Sequence, residues 1–348
     1  MMVLMIGVER GVPGGMSTVV NEYYEAGLDK KIDLKYIPTM REGRKLKKLF
    51  IAMKAMIKFW FCVKKYEIVH VHMSSRASFY RKSQFIKVAH KRKKKIVIHM
   101  HGSEFDVFYD QECNDKQKKK VRDIFALADV VIALSEEWKE YLGRLCSMDK
   151  IIVLYNAVKI PDYVKKDYSD YNILFLGRLG KRKGIYDLLD VIPEIIKSVP
   201  DVHFYIGGDG EVAECKAICL QNGIQDYVTF LGWITGDKKE NLLKKCSVFV
   251  LPSYHEGMPM ALLEAMSYGE VVISTQVGGI PKVLTDNVNG YLIKAGDLQA
   301  LRESLVAALS QNNRREIGEN ALKTIKDRFS IEKNIENLEA LYRHLLEQ

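Results

Sequence analysis

Twelve short apolar runs, most of them rich in valine and isoleucine, alternate along this chain with stretches long enough to form a helix. Runs of this length, stopped by glycine or polar turns, read as strands buried on both faces, and their alternation with helices specifies parallel sheets covered on both sides. In the first half the expected strands are Met2 to Ile6, Leu34 to Ile37, Ile68 to Val71, Ile96 to Met100, Val130 to Leu134 and Ile151 to Leu154. In the second they are Asn172 to Leu176, Val202 to Ile206, Val228 to Leu231, Ser247 to Leu251, Val271 to Ser274 and Gly290 to Ile293. The 348 residues exceed what one ordinary core holds, so two domains are expected. Their hinge is placed in the polar stretch Asn156 to Asp170, which contains Pro161. Helices close the chain at Asp297 to Ser310, Arg314 to Asp327 and Ile331 to Leu346, with a break at Phe329 and Ser330.

Two segments carry the chemistry. After the run ending at Leu251, Pro252 and Ser253 stop the strand, and Met260 to Tyr268 has helical composition. Glu256 therefore falls in the turn and Glu264 about one turn inside the helix. A helix N-terminus at the carboxyl edge of a parallel sheet is where anions and nucleotides bind. A glycosidase pair must flank one bond at about 5 to 9 Å, whereas a turn residue and a helix residue address different parts of a ligand. Each suits a vicinal diol, at about 1.5–3 kcal/mol per charged hydrogen bond. Standing alone, the same pair would equally be a helix-end charge and a solvated helix face. It does not stand alone: Gly177 to Gly184 follows another strand, and Arg178 and Lys183 lie five apart across its turn, a planar fork and a point charge able to converge on a diphosphate.

Weaker signals accompany these. Gly14 and Gly15 sit in a glycine-rich turn, Gly11 to Ser17, where glycine either permits the bend or admits a phosphate. His101 follows the fourth strand, placed to hydrogen-bond a ligand hydroxyl; His99 is expected on the opposite strand face, and His70 and His72 are read as structural. Trp233 and Ile234, just past a strand end, are candidates for a base pocket or for packing. Neither histidines nor cysteines show ligand spacing and no Asp-x-Asp occurs, so no metal site is expected.

Together the G-R-x4-K-G turn, Gly207 to Gly210, Phe230 to Trp233, the E-x7-E element, Val277 to Pro281 and Asn289 to Leu292 resemble the retaining GT-B glycosyltransferases of family 4, group 1. The resemblance runs through most of the chain. It implies an α/β fold of two Rossmann-like doubly wound domains facing a central cleft: an acceptor domain at 1–160, a nucleotide-sugar domain at 161–328, and a final helix, 329–348, crossing back to the first. It implies that Arg178 and Lys183 neutralise the leaving diphosphate, that Glu264 holds the ribose, and that Glu256 holds the sugar beside the turn of Gly257, Met258 and Pro259. Gly14 and Gly15 would lie beside the donor diphosphate and the acceptor, and His101 would match the acceptor-domain site. Catalysis would rest on Glu256, His101, Arg178 and Lys183 without a metal or other cofactor. Met258-Pro259-Met260 resembles forms seen with UDP-sugars, favouring a UDP-hexose or UDP-N-acetylhexosamine. The rivals are a sugar-nucleotide epimerase of the same architecture and a non-catalytic membrane-binding subunit. A nicotinamide dehydrogenase would need G-x-G-x-x-G in the first turn, which is not there.

Charge is concentrated. Between Gly43 and Met100 stand 17 basic residues and one acid, Glu67. Within this region Leu46, Phe50, Met53, Ile57 and Trp60 share a helical face flanked by Lys47, Lys54, Lys58 and Lys65. That pattern fits either a core helix with a solvated flank or an interfacial helix on an anionic membrane; a nucleic-acid partner is not expected, because no reading motif accompanies the charge. Docking through the basic 44–95 region would suit a polyprenyl-diphosphate-linked glycan acceptor, as in capsule or O-antigen assembly. With scattered cysteines, no basic leader before Met2 to Ile6 and no run long enough to span a bilayer, the expected location is cytoplasmic and peripheral on the inner face of the cell membrane.

Overall fold

The computed structural model describes residues 1–162, 166–310 and 312–347. All twelve expected strands form, with ends shifted by at most two residues. The chain makes two compact units, one of Met1–Ala157 with Ile331–Gln348 and one of Val158–Ser330. Of the expected hinge, Tyr163, Val164 and Lys165 lie outside the described residues.

The first unit holds β1 (Met2–Gly7), β2 (Asp33–Pro38), β3 (Ile68–Met73), β4 (Lys95–Met100), β5 (Val130–Ala133) and β6 (Ile151–Val153), in the order β2-β1-β3-β4-β5-β6. Every pairing is parallel. The final helix, Ile331–Glu347, packs in this unit: Asn334 Nδ2 donates to the Tyr155 carbonyl (2.6 Å) and Lys31 pairs with Glu339 at 3.2 Å.

The second unit holds β7 (Asn172–Leu176), β8 (His203–Gly207), β9 (Val228–Gly232), β10 (Val248–Leu251), β11 (Val271–Thr275) and β12 (Tyr291–Ile293), in the order β12-β11-β10-β7-β8-β9. These pairings are parallel too. Burial on both faces explains the unbroken apolar runs: every residue of β10 and β11 is buried. The order reverses between β7 and β10, and a doubly wound sheet binds its ligand at the carboxyl ends of the strands beside such a reversal.

The helix Lys45–Cys62 resolves one open question. Leu46, Phe50, Met53, Ile57 and Trp60 are all exposed, Leu46 at 82%, and the core contacts come from Ala55 and Phe59. The face expected from periodicity is therefore outside the core, which removes the packed-helix reading. No helix among the described residues is long and apolar enough to cross a membrane.

Candidate functional site

The two chemical segments follow the two strands at the reversal. Gly177 to Gly184 leaves β7, and Ser253 to Pro259 leaves β10, its neighbour in the sheet. Gly184 fits them together: it is left-handed (φ +67), and a Cβ there would lie 2.0 Å from the Pro252 carbonyl. The Tyr254 N–H donates to the Arg182 carbonyl (2.8 Å) and Arg182 donates to the His255 carbonyl (3.0 Å). The turns are thus one surface.

At its centre Lys183 Nζ meets Glu256 Oε1 at 2.5 Å, and Ser253 Oγ donates to the same oxygen at 2.8 Å. Glu256 is only 7% exposed. A third turn supports it from behind: Gly279 N–H donates to the Gly257 carbonyl (2.6 Å), and Gly278 (φ +54) has no room for a Cβ, which would sit 2.0 Å from the Glu256 carbonyl. Glu264, in the helix Met260–Ser267, is buried and pairs with Lys239 of the helix Gly236–Lys245 at 2.7 Å. Ser253 and Lys239 were not singled out in the sequence. Lys239 could not have been, since it sits in a run of charges that reads as a solvated helix face.

The ends of β8 and β9 complete the edge. Gly177 N–H donates to the Gly207 carbonyl (2.9 Å) and Gly208 N–H to the Gly232 carbonyl (2.8 Å), so the three turns are hydrogen-bonded side by side. A Cβ on Gly207 would come within 3.2 Å of Ile234, which covers that turn, and Trp233 beside it is 39% exposed. Arg178 is exposed and, among the described residues, makes no ion pair or hydrogen bond through its guanidinium. The structure therefore gathers Arg178, Lys183, Trp233, Ile234, Glu256, Gly257, Met258 and Pro259 along one sheet edge, with Glu264 in the helix that starts there.

Gly14, Gly15 and His101 belong to the first unit. Gly14 (φ +142) precedes the helix Gly15–Glu25, and among the described residues nothing beyond the adjoining backbone lies within 4 Å of where a Cβ on either glycine would sit. His101 Nε2 is 2.8 Å from His72 Nδ1. His99 is not turned away as expected: its ring centroid lies 4.2 Å from that of His101. Residues two apart on a strand share a face, so the alternation should have placed them together. His70 joins the cluster, with Nε2 3.2 Å from His99 Nδ1 and Nδ1 2.5 Å from the Tyr342 hydroxyl. Strand pairing thus brings nitrogens of His70, His72 and His99 within 4.8 Å of one another, a proximity that spacing along the chain does not reveal. Those of His70 are taken up by His99 and Tyr342. Burial holds all four histidines well below their ordinary pKa, His99 at about 3, so they are neutral at pH 7. Lys82, in a run that reads as solvated, is fully buried; its amine donates to Ser78 Oγ (3.0 Å) and approaches Met16 Sδ (3.4 Å), and burial pulls its pKa well down.

Comparison with known proteins finds matches to both halves of the chain. The family described as Glycosyl transferases group 1 matches residues 158–324, and Glycosyltransferase Family 4 matches residues 16–160. An Escherichia coli relative, UDP-Gal:alpha-D-GlcNAc-diphosphoundecaprenol alpha-1,3-galactosyltransferase, is 26% identical over 98% of this chain and 95% of its own. An uncharacterized 41.2 kDa protein in the cps region of Klebsiella pneumoniae is 28% identical over 86% of this chain and 88% of its own. The solved structure of Anabaena HepE in complex with UDP and glucose superposes with a TM-score of 0.77 at 17% identity, over 99% of each chain. The last shows the fold, GT-B with two Rossmann-like domains. With both of its halves matched, the chain belongs to the group 1, family 4 glycosyltransferases.

Proposed function

We propose that this glycosyltransferase moves a hexose or N-acetylhexosamine, with retention of configuration, from a UDP-sugar to a glycan carried on a polyprenyl diphosphate, in the assembly of a bacterial surface polysaccharide. The observation that carries the donor half is the placement of the Lys183–Glu256 pair at the sheet reversal, with Arg178, unpaired among the described residues, in the same turn as Lys183. In this reading Arg178 and Lys183 bind the diphosphate and stabilise the charge that gathers on it as it leaves, which a metal does in other transferases. No metal or other cofactor is assigned. Glu256, with the turn of Gly257, Met258 and Pro259, holds the sugar; Glu264 holds the ribose diol; Trp233 and Ile234 flank the base. Of the first unit's residues, Gly14 and Gly15 are assigned to the donor diphosphate and the acceptor, and His101 to catalysis at the acceptor. The name of the E. coli relative, with its UDP-galactose donor and diphosphoundecaprenol acceptor, supports both halves, and the UDP and glucose of HepE support the donor. Incubation with UDP-sugar and a lipid-linked glycan should yield an extended glycan, whereas donor alone should give no isomerised sugar. An isomerised sugar would mean an epimerase, and no turnover of any nucleotide sugar a silent subunit.

The same reading places the protein in the cytoplasm, on the inner face of the membrane, with Leu46, Phe50, Ile57 and Phe61 in the lipid interface and the surrounding lysines over anionic headgroups, at about 1 kcal/mol each. Phe61 is 76% exposed. Wild-type protein should co-sediment with vesicles containing anionic phospholipid, and the Leu46→Asn/Phe50→Asn/Phe61→Asn variant should not. Binding indifferent to anionic lipid or to moderate salt would contradict membrane docking.

A further inference from the structure

The helix Lys45–Cys62 carries three apolar stripes, and the core uses one. Ala55 and Phe59 are buried against the sheet, while Leu46, Phe50, Ile57 and Phe61 form an exposed crest. Between them lies a groove of about 770 Å³. Its apolar lining comes from Ala52, Met53, Met56 and Trp60 of this helix and from Phe85 and Val88 of the helix Ala77–Lys91; Lys48, Arg81, Lys87 and Lys91 stand along it.

We propose that this groove binds the hydrocarbon chain of a phosphate-headed lipid, and that the lipid is the polyprenyl carrier of the acceptor. The identity of the carrier rests on the lipid-linked acceptor proposed above. A bilayer surface meets the crest, whereas the trough beside it is concave and takes something as narrow as a single chain. Met53 and Met56 suit an irregular, branched hydrocarbon, because an unbranched thioether side chain repacks around it. With Lys48, Arg81, Lys87 and Lys91 spread along the lining, a phosphate or diphosphate head on that chain would meet a cation. A second copy of the protein is a poor occupant, since it would bring one region of 17 basic residues and a single acid against another. A docking peptide helix is about 10 Å across and would fill the space in about two turns, too little to anchor it.

Trp60, in the groove wall, supplies the probe. Its fluorescence should respond saturably to a polyprenyl monophosphate in detergent, about tenfold more weakly to the matching polyprenol, and not to inorganic phosphate. Ala52→Phe, which narrows the groove, should weaken that binding about tenfold and raise KM for a long-chain lipid-linked glycan about tenfold, with kcat unchanged. It should leave vesicle sedimentation, and KM for the same glycan on a short alkyl chain, at wild-type values. Val88→Phe, on the opposite wall, serves if the first variant does not fold. Unchanged polyprenyl phosphate binding in a folded narrowed variant overturns the proposal, as does loss of vesicle sedimentation equal to that of the crest variant. If polyprenyl phosphate binds in the groove but no lipid-linked glycan is extended, the chain site stands and the acceptor reading falls. If such glycans are extended with a KM indifferent to narrowing, the reverse holds.

Discussion

Replacing Lys183 by methionine is expected to lower kcat/KM about a thousandfold, the scale on which removing one charged or hydrogen-bonding stabiliser of a developing anion acts. The substitution has a second consequence, because it leaves the Glu256 carboxylate buried with only the Ser253 hydroxyl, among the described side chains, still donating to it. Breaking a fully buried pair costs about 3–5 kcal/mol, and with Lys183 partly solvated the loss here should be about 2. Lost activity could then be mistaken for lost fold. Lys183→Met combined with Glu256→Gln separates the two, since a neutral amide still accepts from Ser253 and no unpaired charge remains. The double variant should recover most of the melting temperature and none of the transfer. A double variant restored in both would show that the pair is structural.

The second large effect is on acid stability. His70, His72, His99 and His101 are neutral, with burial holding their pKa values far below that of a free imidazole. The unfolded chain binds protons at these sites below about pH 6.5 while the native one does not, so stability is fully present above that pH and falls as the pH drops. Each of the four sites contributes up to about 1.4 kcal/mol per pH unit, so the limiting slope below that pH is about 5–6 kcal/mol per unit. Urea midpoints for the first unit should therefore drop steeply between pH 6.5 and 5.5. The cluster carries this slope if His72→Phe flattens it by about a quarter; an unchanged slope in that variant would assign acid lability elsewhere.

The sheets were legible because β1, β3, β10 and β11 are buried on both faces, which forces long apolar runs bounded by turns. The site was legible as residue types and spacing. What the spacing could not supply is adjacency: Lys183 and Glu256 are 73 positions apart and meet because β7 and β10 are sheet neighbours. Lys239 and Glu264 meet across the two helices that flank β10 in the chain, which spacing does not show either. His70, His72 and His99 come from two strands, and only the β3–β4 register sets His72 opposite His99. Periodicity located the apolar face of the Lys45–Cys62 helix but not its direction. That helix is apolar around most of its circumference, so pattern alone cannot say which stripe the core takes.

The edge formed by β7 to β10 is expected to hold a nucleotide diphosphate sugar through Arg178, Lys183, Glu256 and Glu264. Thermal shift against UDP-, GDP- and ADP-sugars tests it directly, because a ligand at about 100 times its Kd adds about 2.7 kcal/mol to the native state. A UDP-sugar should raise the melting temperature of the wild-type protein and fail to do so for the Lys183→Met/Glu256→Gln variant. Shifts of equal size in both proteins, or none with any nucleotide sugar, would contradict the account.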